Sequence, residues 1–251
     1  GIFLVTGPTG SGKSTTLYAS LNEVDRSEKK IITVEDPIEY NLSGINQCQV
    51  NERIGLTFPG ILRAVLRQDP NIIVIGEIRD VETAEIAVTS ALTGHLVMST
   101  LHTNDAPSAI TRLVDMGIKP FLISSSIQAI LAQRLVRVIC PKCKVPYKVE
   151  KDVLESLNVD SIDLENMEFC HGTGCDYCNK TGYRGRKPIF EFMSMNTELR
   201  DAIFNKMPTN ELRKIAHSNG MTTLAEDGLR LARAHVTTLE EVMRITSLDS
   251  M

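Results

Sequence analysis

The sequence predicts a three-layer α/β domain, doubly wound around a parallel sheet, and three observations carry that expectation. Short apolar runs recur at residues 2–5, 31–34, 72–75 and 96–101, too short for helices and without the alternation of a half-buried strand. Segments of helical spacing separate them. The first run leads directly into Gly7-Pro8-Thr9-Gly10-Ser11-Gly12-Lys13-Ser14-Thr15, a full G-x-x-x-x-G-K-[ST] match.

Each element follows from its residues. After the first strand and the loop, Leu17, Leu21 and Val24 recur at helical spacing. The second run ends in Glu35-Asp36-Pro37-Ile38-Glu39. Phe58, Leu62, Val65 and Leu66 form one helical face, and Ala84, Ala87, Val88 and Ala91 form another that stops at Gly94. Asn104-Asp105-Ala106-Pro107 signals a further helix start, with Ile110, Leu113 and Val114 on its face and Gly117 at its end. From Cys140 the composition shifts to Cys, Gly and Lys, which marks a small inserted module to about Lys187. Residues 188–251 read as helical, with Leu199, Ile203, Leu212, Ile215, Leu224, Leu229, Leu231, Leu239, Val242 and Ile245 as the buried set. The expected division is therefore 1–139 for the α/β core, 140–187 for the cysteine module and 188–251 for a helical subdomain.

Composition sets the bounds. The 251 residues suffice for one large or two small domains, and 42% apolar with 23% charged residues is ordinary for a globular chain. No run of 18 apolar residues occurs, so the expected compartment is the cytosol. A formal charge of −4 and the absence of Trp disfavour broad nucleic-acid binding. A domain seldom begins on the strand that feeds its phosphate loop, so a preceding domain is expected upstream of Gly1.

Four constellations carry chemistry. In the loop, Gly7, Gly10 and Gly12 permit the tight turn that aims backbone N–H groups at phosphates on the positive end of a helix. Lys13 adds a mobile positive charge, and the Ser14 hydroxyl suits Mg²⁺. Glu77, at the end of the run 72–75, supplies the acidic residue that a phosphate loop needs on a neighbouring strand to arrange Mg²⁺ or water. Glu35, Asp36 and Glu39 are expected on the same sheet edge. His102 ends the run 96–101, where it can meet a γ-phosphate, whereas His95 begins that run and belongs at the opposite end. The fourth constellation pairs Cys140-Pro141-Lys142-Cys143 with Cys175-Asp176-Tyr177-Cys178, which suits a closed tetrahedral Zn²⁺ site. Cys170 and His171 have irregular spacing and read as bystanders, and Cys48 reads as a buried strand residue.

Together these residues resemble the ATPase domain of the type II secretion and type IV pilus assembly motor family, of GspE/PilB type. The phosphate loop, an Asp box at Glu35 to Glu39, a Walker B ending in Gly76-Glu77 with Ile78-Arg79-Asp80 after it, a His box from Thr93 to His102 and the tetracysteine motif occur in the family's order. The resemblance covers essentially the whole chain. It implies a RecA-like P-loop NTPase fold and a homo-hexameric ring that binds ATP between neighbouring units, with arginines contributed by a preceding domain. It also implies an inner-membrane platform protein as partner. In that picture Glu77 polarises the attacking water, Glu35 and Glu39 support Mg²⁺ and water, Lys13 and the loop amides hold the phosphates, and His102 senses the γ-phosphate. The competing class is a DNA-uptake or nucleic-acid motor of the same superfamily. A scaffold without turnover is disfavoured by the presence of Glu77.

Overall fold

The computed structural model describes residues 1–148 and 168–246. The chain packs as two compact units, one of Gly1–Ala132 with Phe192–Met221, the other of Gln133–Glu191 with Thr222–Met251. No helix among the described residues is long and apolar enough to cross a membrane.

The first unit begins with β1 (Ile2–Thr6), α1 (Lys13–Asn22), β2 (Ile31–Glu35), β3 (Asn46–Gln49) and α2 (Phe58–Val65). It continues through β4 (Ile72–Ile75), α3 (Val81–Leu92), β5 (Leu96–Leu101), α4 (Ala106–Asp115) and α5 (Pro120–Ser126). β6 (Ile127–Ile139) starts here and runs on into the second unit. The sheet order is β3-β2-β4-β5-β1-β6, with β9 (Tyr183–Ser194) beyond β6. The pairs from β3 to β6 are parallel, with Val5 opposite Thr100 and Ile32 opposite Ile73 in register.

Both faces of this sheet are covered, which is why its strands read as unbroken apolar runs. Val5, Ile31, Ile72, Val74 and Met98 pack with Leu17 and Leu21 of α1. Ile2, Leu4, Ile32, Val34, Ile73, Ile75 and Val97 face the other way, into a larger core with α2, α3 and α4. α6 (Thr197–Phe204) and α7 (Thr209–Ser218) join that core through Leu199, Ile203 and Leu212. The helix ends are chemically specified: Thr57, Asp80 and Asp105 accept hydrogen bonds from Gly60, Thr83 and Ser108 and cap α2, α3 and α4. Each such cap is worth about 1 kcal/mol.

The second unit holds the later part of β6, the antiparallel pair β7 (Lys144–Tyr147) and β8 (Phe169–Gly172), the start of β9, α8 (Leu224–Arg233) and α9 (Leu239–Thr246). Among the described residues, Val136, Ile189, Leu224 and Leu231 form an apolar cluster in it.

Three segments differ from the sequence expectation. Residues 189–194 are strand, not helix: Ile189, Glu191 and Met193 are buried while Phe192 and Ser194 are exposed, a period of two. The long strand β6 has no counterpart among the apolar runs, because Gln133 and Arg134 lie buried in its middle and break the pattern. Cys48 does lie on a strand, β3, but is only half-buried, because β3 ends the sheet. Of the anticipated helical core, Ile215 and Ile245 are partly buried and the rest are buried.

Candidate nucleotide site and cysteine cluster

β1 delivers the chain to the loop through Thr6, whose hydroxyl accepts from the Thr103 amide at 2.9 Å and lies 2.7 Å from the Thr103 hydroxyl. That joins the loop's entry to the segment that follows β5. Gly7, Gly10 and Gly12 have φ of 148°, 78° and 90°, conformations that a Cβ would oppose. Gly12 occupies the N-cap of α1, where no side chain caps the helix and no acidic residue stands in the first turn. In contrast to α2, α3 and α4, α1 thus begins without a side-chain cap, an arrangement that suits an anion at the helix N-terminus. Lys13 is buried, and its Nζ donates to Gly7 O at 2.8 Å and Pro8 O at 3.1 Å. Ser11 is buried, while Pro8, Thr9, Gly10, Ser14 and Thr15 are exposed at the mouth.

The carboxylate partner stands two strands away. β5 separates β4 from β1, so Glu77 is not on the hydrogen-bonded neighbour of the loop strand. At about 4.8 Å per strand, the two strand ends lie about 10 Å apart, room for a phosphate and a water between them. The chain past β4 is pinned by Gly76 N to Val34 O at 2.8 Å, Thr100 Oγ1 to Gly76 O at 2.6 Å and Ile78 N to Thr100 O at 3.0 Å. Glu77 pairs with Arg79 through one oxygen and lies 3.3 Å from His102 Nε2 through the other. Arg79 also reaches Asp36 at 3.5 Å, and its pKa is raised first by the hydrogen bond to Glu77. Sequence reasoning brought Glu77 and His102 to one edge but gave Arg79 no task. Its signal was present, as the cation two residues past the strand-end Glu.

The remaining acidic residues are placed differently from one another. Glu39 is exposed. Glu35 is buried, and its carboxylate accepts from Tyr18, from Thr33 and, at 3.1 Å, from Gln47 Nε2. His95 sits at the far end of β5, where Nδ1 lies 2.9 Å from Ser90 O.

In the second unit, Cys140, Cys143, Cys175 and Cys178 converge, with all four sulfurs within 4.8 Å of one another. Cys140–Cys175, Cys143–Cys178 and Cys175–Cys178 are separated by 3.9, 3.8 and 3.8 Å. Zinc–sulfur bonds of about 2.3 Å in a tetrahedron give sulfur–sulfur edges of about 3.8 Å, so the donor set fits Zn²⁺. The amides of Cys175 and Gly182 each donate to Cys178 Sγ at 3.3 Å. Those backbone bonds, that from Cys175 foremost, draw the Cys178 thiol down to about 6. Cys170 is buried on β8 and stands outside the convergent set.

The model of a family described as type II/IV secretion system protein matches residues 1–244. The chain belongs to that family. It is 54% identical to the type II secretion system ATPase E of Vibrio cholerae over 98% of this chain and 48% of that protein. It is 51% identical to the type IV pilus assembly ATPase PilB of Thermus thermophilus over 98% of this chain and 28% of that one. Among solved structures, the pilus retraction motor PilT with bound ADP superposes with a TM-score of 0.72 at 32% identity, covering all of this chain and 64% of that one. The Legionella pneumophila ATPase DotB superposes at 0.71 with 25% identity, covering 98% and 60%. This secretion-family chain thus spans about half the length, or less, of the curated relatives it matches.

Proposed function

We propose that the chain is the ATP-hydrolysing module of a motor that drives type II secretion or type IV pilus assembly. The observation that carries this reading is Glu77 standing one strand's width beyond β5 from a helix N-terminus without a side-chain cap, with His102 just past the end of β5. Gly7, Pro8, Thr9, Gly10, Ser11, Gly12 and Thr15 form the cradle, whose amides and the Lys13 ammonium hold the phosphates of ATP. Ser14, exposed on the first turn of α1, offers its hydroxyl to Mg²⁺, which when bound neutralises phosphate charge. Glu77 takes the proton of a water whose oxygen attacks the γ-phosphorus as the bond to ADP breaks. His102, beside Glu77, reports the γ-phosphate, and Glu39 lends negative charge near Mg²⁺ and water. Cys140, Cys143, Cys175 and Cys178 hold a structural Zn²⁺ that braces the second unit.

The wider assembly belongs to the same reading: a homo-hexamer on the cytoplasmic side, with ATP between neighbouring units, acting on an inner-membrane platform protein. Functionally the chain is read as a nucleotide core of 1–139, a zinc module of 140–187 and a helical segment of 188–251. The decisive experiment is Glu77→Gln. Nucleotide binding should persist while hydrolysis falls roughly 10²- to 10⁴-fold, the usual contribution of a general base. Hydrolysis at the parent rate would remove Glu77 from its role.

A further inference from the structure

Glu35 is placed where a ligand of metal or water would be poorly served. It closes β2 with its side chain on the α1 face of the sheet, buried to 4% exposure, and the Tyr18 ring it meets is buried to 2%. One carboxylate oxygen accepts from the Tyr18 hydroxyl, and the other accepts from Thr33 Oγ1 and Gln47 Nε2. All three donors are neutral, so the carboxylate is held by hydrogen bonds that use both of its oxygens. Tyr18 lies four residues past Ser14 on α1, on the same helix face and about 6 Å further along the axis.

The same network grips the acidic segment that follows β2. Gln47 Nε2 also donates to Tyr40 O at 3.2 Å, and Gln47 Oε1 accepts from the Leu42 amide at 2.7 Å. The Tyr18 and Tyr40 rings meet edge to face, with centroids 4.7 Å apart at 82°. The segment from Asp36 to Leu42 is thereby fixed at its base through Glu35, in its middle through Tyr40 and at its end through Leu42.

We propose that Tyr18, Glu35 and Gln47 form a buried clamp that sets the Asp36-to-Glu39 segment against the phosphate-loop helix, with Glu35 acting as a positioning residue and not as a ligand of Mg²⁺ or water. This rests on the reading of the chain as an ATPase, and it gives Glu35 a different task from the one the family resemblance implies. The clamp makes the distance between the Ser14 hydroxyl and the acidic segment a property of packing. A variant that keeps the hydrogen bonds should then keep the chemistry.

The test compares Tyr18→Phe, Glu35→Gln and Glu35→Ala with the parent in steady-state hydrolysis at varied ATP and Mg²⁺, and in amide hydrogen exchange. Glu35→Gln retains an acceptor and donors, and should keep kcat within about threefold with unchanged Mg²⁺ dependence. Glu35→Ala should lower kcat about tenfold or more. Tyr18→Phe should lower kcat about three- to tenfold with KM within twofold, and the Tyr18→Phe/Glu35→Ala pair should be no worse than Glu35→Ala alone. Exchange at residues 36–42 should accelerate about tenfold in Tyr18→Phe while β4 stays protected. If Glu35→Gln falls as far as Glu77→Gln, or needs more Mg²⁺, Glu35 is a ligand and the clamp is overturned. Unchanged exchange in Tyr18→Phe overturns it as well. The exchange readout needs no turnover, so it judges the clamp by itself, whereas a parent that neither binds nor hydrolyses ATP would defeat the functional reading.

Discussion

Single residues set the limits of the site. Lys13 spans from the first turn of α1 to the carbonyls of Gly7 and Pro8, so its ammonium waits inside the loop it serves. Lys13→Ala should abolish measurable nucleotide binding, checked by titration with a fluorescent ATP analogue. Retention of parent affinity would mean that the amides alone suffice. A second residue-scale prediction concerns Gly182, which has φ 76° and whose added Cβ would stand 2.4 Å from Gly172 O. Backbone cannot yield as a flexible side chain can, and the Gly182 amide also donates to Cys178. Gly182→Ala should lose most of the bound zinc, measured by elemental analysis, while the first unit keeps its nucleotide affinity.

At the scale of elements, β6 and α9 are joined by one buried carboxylate. Glu241 is 1% exposed and accepts from the Arg137 amide at 3.1 Å and its guanidinium at 2.7 Å, and from Arg244 Nε and Nη2, each at 2.9 Å. Arg137 lies over the Tyr183 ring at 4.0 Å, and the Tyr183 hydroxyl is 2.8 Å from that of Thr238. Burial by itself raises the Glu241 carboxyl, but the hydrogen bonds from Arg244 and Arg137 outweigh it and hold the group at about 2. A carboxyl depressed in the folded state contributes stability above its unfolded value, near 4.3, and loses it as pH falls toward 2. Glu241→Gln should therefore unfold at lower temperature than the parent by a constant margin above pH 5, and that margin should shrink toward pH 2. Glu241→Ala at neutral pH should cost about 1–2 kcal/mol, because it removes a buried acceptor of charge-assisted hydrogen bonds while the two arginines, 45% and 54% exposed, stay solvated. An equal margin at pH 3 and pH 7 in thermal unfolding would exclude the depressed carboxyl.

For the molecule as a whole, the cysteine cluster and the length of the chain each give a test. One zinc per chain is expected, and chelation should unfold the second unit, because a closed Cys₄ site contributes folding energy directly. A metal-free preparation with the same melting curve would exclude a structural ion. The chain covers 48% of the Vibrio cholerae secretion ATPase and 28% of PilB. An arginine reaching a γ-phosphate from outside its loop is worth roughly 10³ to 10⁵ in rate. A chain of the relatives' full length should accordingly hydrolyse ATP faster and assemble into larger rings, measured as specific activity and light-scattering mass side by side. Equal activity with both chains monomeric would show that the site is complete in these 251 residues.

The sequence by itself determined the loop, its strand and helix, the strand-end Glu77 and the paired cysteines, because each is a local pattern: backbone freedom at glycine, a buried run that ends in a charge, a ligand spacing. The α/β alternation was legible for the same reason, since a parallel sheet buried on both faces leaves only apolar residues in its strands. Only tertiary structure decided the rest. It inserted β5 between Glu77 and the loop, it turned residues 189–194 and the polar-centred β6 into strands, and it brought Asp36 and His102 beside the Glu77–Arg79 pair. Glu35, Asp36 and Glu39 look alike in sequence, yet alternation along β2 turns Glu35 toward α1 and Tyr18 while Asp36 and Glu39 stay at the surface. Which face a side chain takes, and which donors wait there, depends on contacts between residues far apart in the chain, and a local pattern carries no record of those.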